Sequence, residues 1–458
     1  MGNINRCSCC LEKQIEIDRL NDYIKMLKKQ LSRFEKQTKE GYFGESTPSS
    51  KKPFKENSKV KKSGGAKEGH TGHGRKKVLE EEARIVEVPI TEICPECKEK
   101  TEFKAKIKRG IIDGKMPSTE TIIYNCHKRY CPRCKKIYMG QPPVLPRTLY
   151  GNGLLSMIIT MFYLEGVPLN RILEMLGSKI NKGSIINALH RVSNIFVPVV
   201  ATIIEDYRSN PIRHADETGW RTDGNSGYAW LFCTDRESIF KFANTRSGQV
   251  PLAILGGEEL EGYLITDRYG GYNSIKCKKQ FCLVHLLRDI RAIREDYEDK
   301  EAEVSNFTKI SIELLSEAIG LRNKDKTDFD YYERAKYLED ELKKVMSHGA
   351  HNPNIKEIQR IFLKNENKLY HWASDRRVPA DNNRAERELR PTVVARKVSF
   401  GSQSPEGANT RSIFMTVLHT AKKRLKDEQK VADWLKNTLD SCSLNQNINI
   451  NELFPKPN

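Results

Sequence analysis

Apolar positions along the 458-residue chain recur in distinct rhythms, and each rhythm predicts its own kind of element. Near the start, Ile17, Ile24 and Leu31 recur every seven residues, and Leu20, Leu27 and Phe34 do so three positions later. That is the a/d seam of a coiled coil over three heptads, predicting an N-terminal helix within 1–40 that either pairs with a second chain or packs on its own. The rhythm stops in 41–84. From Gly41 to Lys77, Lys, Ser, Gly and Pro displace the large apolar residues, and between Lys51 and Lys77 ten basic residues face two glutamates. Such a stretch buries too little surface to order itself. It reads as a flexible basic linker, either simply solvated or touching phosphates without sequence preference.

Residues 85–145 carry two cysteine pairs and β-leaning runs, Phe103 to Ile112 and Thr119 to Tyr124. Helical periodicity governs 146–208. Leu169, Ile172, Leu173 and Leu176 form one stripe that Gly177 is placed to end, and Ile185, Leu189, Val192 and Phe196 form the next. From 209 to 425 short strand-like runs alternate with turns and helical patterns, as in Gly227–Phe232 followed by Ser238–Phe242, predicting a mixed α/β unit. Long helical periods interrupt it over about 289–378: Phe307, Ile310, Leu314 and Leu321, then Tyr332, Ala335, Leu338, Leu342 and Val345. That block reads as a helical insertion, and 426–458 as a C-terminal tail.

Composition narrows the partners. A balance of 78 Lys plus Arg against 60 Asp plus Glu gives +18 and an isoelectric point near 9.2, which favours a polyanion. The start has no secretory pattern, and no run reaches the roughly 20 apolar residues that span a bilayer; Leu154 to Leu164 is too short. A soluble cytoplasmic protein with no membrane partner is the expectation.

Cys94-Pro95-Glu96-Cys97 and Cys131-Pro132-Arg133-Cys134 are matching knuckles separated by 33 residues. In a reducing compartment such pairs bind metal rather than form disulfides. Four thiolates so spaced close a tetrahedral structural Zn²⁺ site around a β-ribbon. Four unligated thiols would need a core that this Lys-rich segment can hardly build. Cys126 and His127 are substitute ligands, whereas Cys7, Cys9, Cys10, His70 and His73 receive no role.

The two helical stripes around Gly177 are either a plain hairpin or a DNA-reading helix-turn-helix. In the latter, Lys182, Ser184 and Asn187 face the bases, and His190 or Arg191 the backbone.

Two aspartates close apolar runs, Ile212 to Asp216 and Tyr263 to Asp267, and Glu386 follows Asn382-Asn383-Arg384-Ala385 far downstream. Grouped acids repel one another, and cations make the grouping favourable. Phosphodiester attack needs a nucleophile at neutral pH and charge neutralised on two oxygens. Two Mg²⁺ ions about 4 Å apart, held by carboxylates from different elements, do both. Asp381 or Asn382 is a cap for the short helix carrying Glu386, which Pro391 is expected to end. Arg384, Arg387 and Arg390 suit a DNA backbone beside the metals, or else ion pairs such as Glu386 with Arg390. Glu217 and Glu388 point away from their neighbours and are not chosen as ligands.

The segments His214–Thr218, Thr266–Tyr272, Cys282-Leu283-Val284-His285 and Asp381–Pro391 resemble the DDE transposases of bacterial insertion sequences, most closely the IS-sixty-six family. The resemblance covers nearly the whole chain, including the N-terminal helix, the zinc unit and the helix-turn-helix. It implies an RNase H-like catalytic domain with a helical insertion, and Asp216, Asp267 and Glu386 as the triad holding Mg²⁺ or Mn²⁺. It also implies that Cys282 and His285 support the site or form a buried structural pair. His419 departs from the resemblance, standing where relatives are expected to be acidic.

The function so implied is binding of an element's terminal inverted repeats, hydrolysis at its ends and strand transfer into target DNA, by a homodimer or higher multimer on the bacterial nucleoid. Companion proteins of the element are further candidate partners. Two other readings stand beside it. One is a zinc-dependent DNA-binding regulator with an inert catalytic fold; the other is an RNase H-like nuclease that joins no strands.

Overall fold

A computed structural model describes residues 119–457, apart from 134, 140–141, 147, 178–179, 298–300, 325–326, 426–429 and 446. The expected coiled-coil helix, the expected basic linker, and Cys94, Cys97 and Cys134 of the expected zinc unit lie outside the described residues. What is described of that unit is an antiparallel ribbon, β1 (Lys128–Cys131) paired with β2 (Lys136–Met139), Cys131 facing Lys136 across the second knuckle. The run Thr119–Tyr124, expected to lean toward strand, has no regular structure. Ile122 and Ile123 are exposed there, and among the described residues no strand pairs with this run.

Four helices come next: α1 (Asn152–Ile159), prolonged by a π-turn over Thr160–Leu164, then α2 (Leu169–Leu176), α3 (Lys182–Ile195) and α4 (Val197–Ser209). Gly177 ends α2 at φ 86°, a left-handed conformation that glycine adopts without a Cβ clash. Asn181 starts α3 by accepting the Ser184 N–H. These helices share their core with the downstream strands. Leu155, Ile172, Leu189, Phe196 and Ile203 are buried in one continuous cluster with strand residues such as Phe232 and Phe240. Each such side chain contributes about 1.5–3 kcal/mol by leaving water.

The sheet has five strands in the order β5-β4-β3-β6-β7: β3 (Ile212–Thr222), β4 (Asn225–Cys233), β5 (Ser238–Ala243), β6 (Tyr263–Thr266) and β7 (Lys278–Phe281). The first three form an antiparallel meander, and β6 and β7 add in parallel beside β3. Asp223-Gly224 turns the β3–β4 hairpin with both residues at positive φ, as a tight two-residue loop requires. Helix α5 (Gln249–Leu255) leads from β5 toward β6.

From β7 the chain enters helices α6 (Leu283–Tyr297), α7 (Ala302–Leu321), α8 (Asp328–Ser347), α9 (Pro353–Lys364) and α10 (His371–Ser374). They bury a core of their own, with Leu286, Ile290, Leu315, Leu338 and Ile358 inside. α7 settles one position off the expected stripe: it buries Phe307, Ser311, Leu315 and Ala318 and leaves Ile310 partly exposed. Leu314 and Leu315 are adjacent, so either phase offers a leucine, and Val304 and Ala318 select this one.

The chain returns to the sheet as α11 (Asn383–Ser399), packed along β3 and β4. This corrects the expectation that Pro391 ends the helix. Pro391 denies the Arg387 carbonyl its usual donor, but Ala385, Leu389 and Ala395 are buried on the strands, and that packing carries the helix through. Helix α12 (Pro405–Arg424) then covers the outer edge of β5. Thr420 and Thr416 accept the edge N–H groups of Ser238 and Phe240, at 3.1 and 3.0 Å, satisfying donors that would otherwise invite another strand. The stretch expected as a tail folds back as α13 (Val431–Leu444) and α14 (Ile450–Leu453), burying Trp434, Leu435 and Phe454.

Among the described residues no single helix is long and apolar enough to cross a membrane. The bent pair α3–α4 reaches the length only jointly, and most of its large apolar residues, such as Ile185, Leu189, Val192, Val199 and Ile203, lie in the core.

Candidate active site

Strand register brings the two aspartates together. His214 of β3 pairs with Ile265 of parallel β6, so Asp216 and Asp267 each lie two residues beyond that pair, at the same level and on the same facing of neighbouring strands. Thr266 pairs with Phe281, and the Cys282 N–H donates to the Thr266 carbonyl at 2.9 Å, setting Cys282 beside Asp267. Glu386 arrives from α11, whose start is tied to β3. Asn382 donates from Nδ2 to the Ala215 carbonyl at 2.9 Å, and its Oδ1 meets His214 Nδ1 at 2.9 Å. The helix is therefore not capped by Asn382; Asp381 takes the Asn383 N–H instead.

The electrostatics register this convergence. Burial holds the Asp216 carboxyl well above the usual range for aspartate, and the charges of Glu217, Asp267 and Glu386 push it further the same way. Burial brings His214 down to about 3, leaving a neutral imidazole beside Asn382. The Cys282 thiol is raised to about 12, by burial first and then by Glu386. Its sulfur accepts the Asn382 N–H at 3.2 Å, and His285 Nε2 stands 3.8 Å from Glu386 Oε1. Cys282 and His285 thus both abut the root of α11.

Glu386 is engaged on its other oxygen by Arg288 of α6, whose Nη2 donates to Oε2 at 3.2 Å. Its Oε1 is buried and accepts no hydrogen bond. Among the described residues no three His, Cys, Asp or Glu donors stand where they would jointly hold one ion. The donor chemistry nevertheless fits a hard divalent cation: carboxylate oxygens only, one of them orphaned, around an aspartate that its neighbours disfavour as an anion. Arg288 would compete with a cation for the Glu386 Oε2 oxygen.

Residues to which the sequence pattern assigned no role at the site surround the pair. Glu217 is fully buried, ion-paired with Arg246 and accepting the Tyr272 hydroxyl at 2.6 Å. Arg246 lies over the Tyr269 ring at 3.7 Å, and Tyr269 donates its N–H to Asp267 Oδ1 at 2.9 Å, so one network joins β3 beside Asp216 to the segment after β6 that carries Asp267. Gly271 is needed there: a Cβ would strike the Tyr269 ring. Arg268 pairs with Asp289 at 2.6 Å, both buried. Tyr269 and Tyr272 were visible beside Asp267 in the sequence, whereas Arg246 and Arg288 carried no local signal.

The cations expected at DNA divide. Arg384 donates to the Thr234 carbonyl at 3.3 Å and is partly buried, while Arg387 and Arg390 are exposed. On α3, Lys182 and Asn187 are exposed and Ser184 is half-buried at the cap. His190 turns inward, its Nδ1 2.6 Å from Thr410 Oγ1, which withdraws it from the backbone role considered for it.

Comparison with known proteins bears on this arrangement. The sequence pattern described as Transposase IS66 family matches residues 147–410, a span holding the five-stranded sheet and all three carboxylates. The chain belongs to that family. Its members are DNA-processing enzymes by description, and the matched span runs from α1 into α12. The chain is also similar to the uncharacterized protein y4hP of Sinorhizobium fredii (strain NBRC 101917 / NGR234), 22% identical over 421 residues, which cover 82% of this chain and 75% of that protein.

Proposed function

We propose that this IS66-family chain is a DDE transposase whose Asp216, Asp267 and Glu386 hold divalent metal ions, Mg²⁺ or Mn²⁺, for cleavage and strand transfer at the ends of an insertion sequence. The observation that supports the reading is that Asp216, on β3, and Asp267, just past the parallel β6, lie two residues beyond one paired position, with Glu386 on the helix packed over β3 near enough for its charge to raise Asp216. An antiparallel meander extended by two parallel strands supports an RNase H-like domain, with α6 to α10 as its insertion. Ions bound there would supply the Lewis-acid charge that phosphodiester attack requires. The chain's own contribution is positional: Asn382 fixes α11 to β3, and the Glu217–Arg246–Tyr269 network ties β3 to the segment carrying Asp267.

DNA is the proposed partner, with α2 and α3 as the candidate reader through Lys182, Ser184 and Asn187. Cys94, Cys97, Cys131 and Cys134 are the proposed structural Zn²⁺ ligands, and pairing of N-terminal helices the proposed route to a multimer.

Incubation of the purified chain with a labelled duplex carrying its element's end and Mg²⁺ tests the reading. Asp216→Asn should abolish cleavage while end binding persists. Undiminished cleavage would refute the assignment.

A further inference from the structure

An open cleft of about 640 Å³ lies between α11, α12 and the turn after α1, on a different face of α11 from Glu386. Arg387, Arg390 and Val394 of α11 line it, with His419 and Lys422 of α12. At about 100° per residue this face is centred about a quarter-turn round α11 from Glu386, so one rigid helix carries both the carboxylate and the cleft wall. The cleft's cations are not spent on the fold. Among the described residues, Arg387, Arg390 and Lys422 have no acidic partner, whereas Lys423 is occupied by Glu388 at 2.8 Å and by the Thr234 and Glu237 carbonyls. His419 adds a buried Nε2 without a hydrogen-bond partner. The one uncompensated acid on the lining, among the described residues, is Glu165, which is exposed.

We infer that this cleft binds the phosphodiester backbone of the DNA strand flanking the attacked bond, with Arg387, Arg390 and Lys422 as its phosphate contacts. The inference rests on the reading of the chain as a DNA transposase. It separates three arginines that look alike in sequence: Arg384 is tied to the sheet, and Arg387 and Arg390 are left for a ligand. Guanidinium groups one turn apart suit successive phosphates, and Lys422 faces them from the second wall. Glu165 opposes an anion at the rim, which gives the site a cation set and a counter-charge that can be tested in opposite directions.

The experiment is fluorescence anisotropy of the full chain on a labelled duplex carrying the element's end, in EDTA, across a salt series. The triple variant R387Q/R390Q/K422Q should bind about ten- to a hundred-fold more weakly and lower the slope of log K against log salt by about 2 to 3. Glu165→Gln should bind more tightly, and K309Q/K336Q/K344Q, on exposed insertion positions, should match the parent. Circular dichroism verifies that each variant is folded. Equal weakening in both triples, or none in the cleft triple, would overturn the cleft and leave the transposase reading standing. No DNA binding by the unmodified chain would overturn both. Inorganic phosphate at matched ionic strength should not compete; competition would mean a site for single ions, contrary to the inference.

Discussion

Arg288 donates to Glu386 across 3.2 Å, so the first helix of the insertion holds the acidic residue of the helix that succeeds the insertion. The Arg288 side chain is 43% exposed, and a pair so solvated stabilises by no more than about 1 kcal/mol. Arg288→Ala should therefore barely change urea unfolding, while freeing Glu386 and tightening Mn²⁺ binding measured by calorimetry. A loss of several kcal/mol, or weaker Mn²⁺ binding, would contradict this role.

Glu217 and Arg246 behave differently, because both side chains are buried. Removing one partner leaves a charge without compensation, at a cost of about 3–5 kcal/mol. Arg246→Ala should unfold at markedly lower urea, and E217Q/R246A should recover part of the loss. Additive losses would argue against a coupled pair.

Thr416 and Thr420 close the β5 edge. Thr416→Val keeps the shape and removes the acceptor for the Phe240 N–H, so it should cost about 1–3 kcal/mol. A neutral effect on thermal unfolding would mean the edge is satisfied some other way.

His419 gives a pH signature. Burial, aided by Lys423 and Lys422, lowers it to about 3 from an ordinary value of 6.5. The unfolded chain takes up this proton below about pH 6.5 and the folded chain does not until about 3. Stability from this group is complete above 6.5 and declines as pH falls toward 3, by up to about 1.4 kcal/mol per pH unit. His419→Gln should flatten that part of the urea-unfolding profile between pH 6.5 and 4; an unchanged slope would place the titration elsewhere.

Much of the fold was legible where the signal is local. The apolar runs before Asp216 and Asp267 are strands, though β3 continues past Asp216 to Thr222; Gly177 ends a helix, and the long periods after Asp289 are helices with a core of their own. What stayed hidden depends on partners distant in the chain. Pro391 reads as a helix end until the strands beneath Leu389 and Ala395 supply the packing that overrides it. His190 looks like a surface residue of a DNA-reading helix, yet it meets Thr410, 220 residues on. The terminal residues read as a tail because their apolar positions need α1 and α4 to be buried against. At the site, side-chain alternation excluded Glu217 as a partner of Asp216 in a ligand set, but gave no hint of Arg246.

The most direct test of the central claim substitutes a metal ligand rather than deleting it. Thiolate is a poor ligand for Mg²⁺ and a better one for softer ions. Asp267→Cys, assayed on the labelled element end, should fail to cleave in Mg²⁺ and regain cleavage in Mn²⁺. Cleavage in Mg²⁺ at the parent rate would show that residue 267 holds no metal, and would contradict the account.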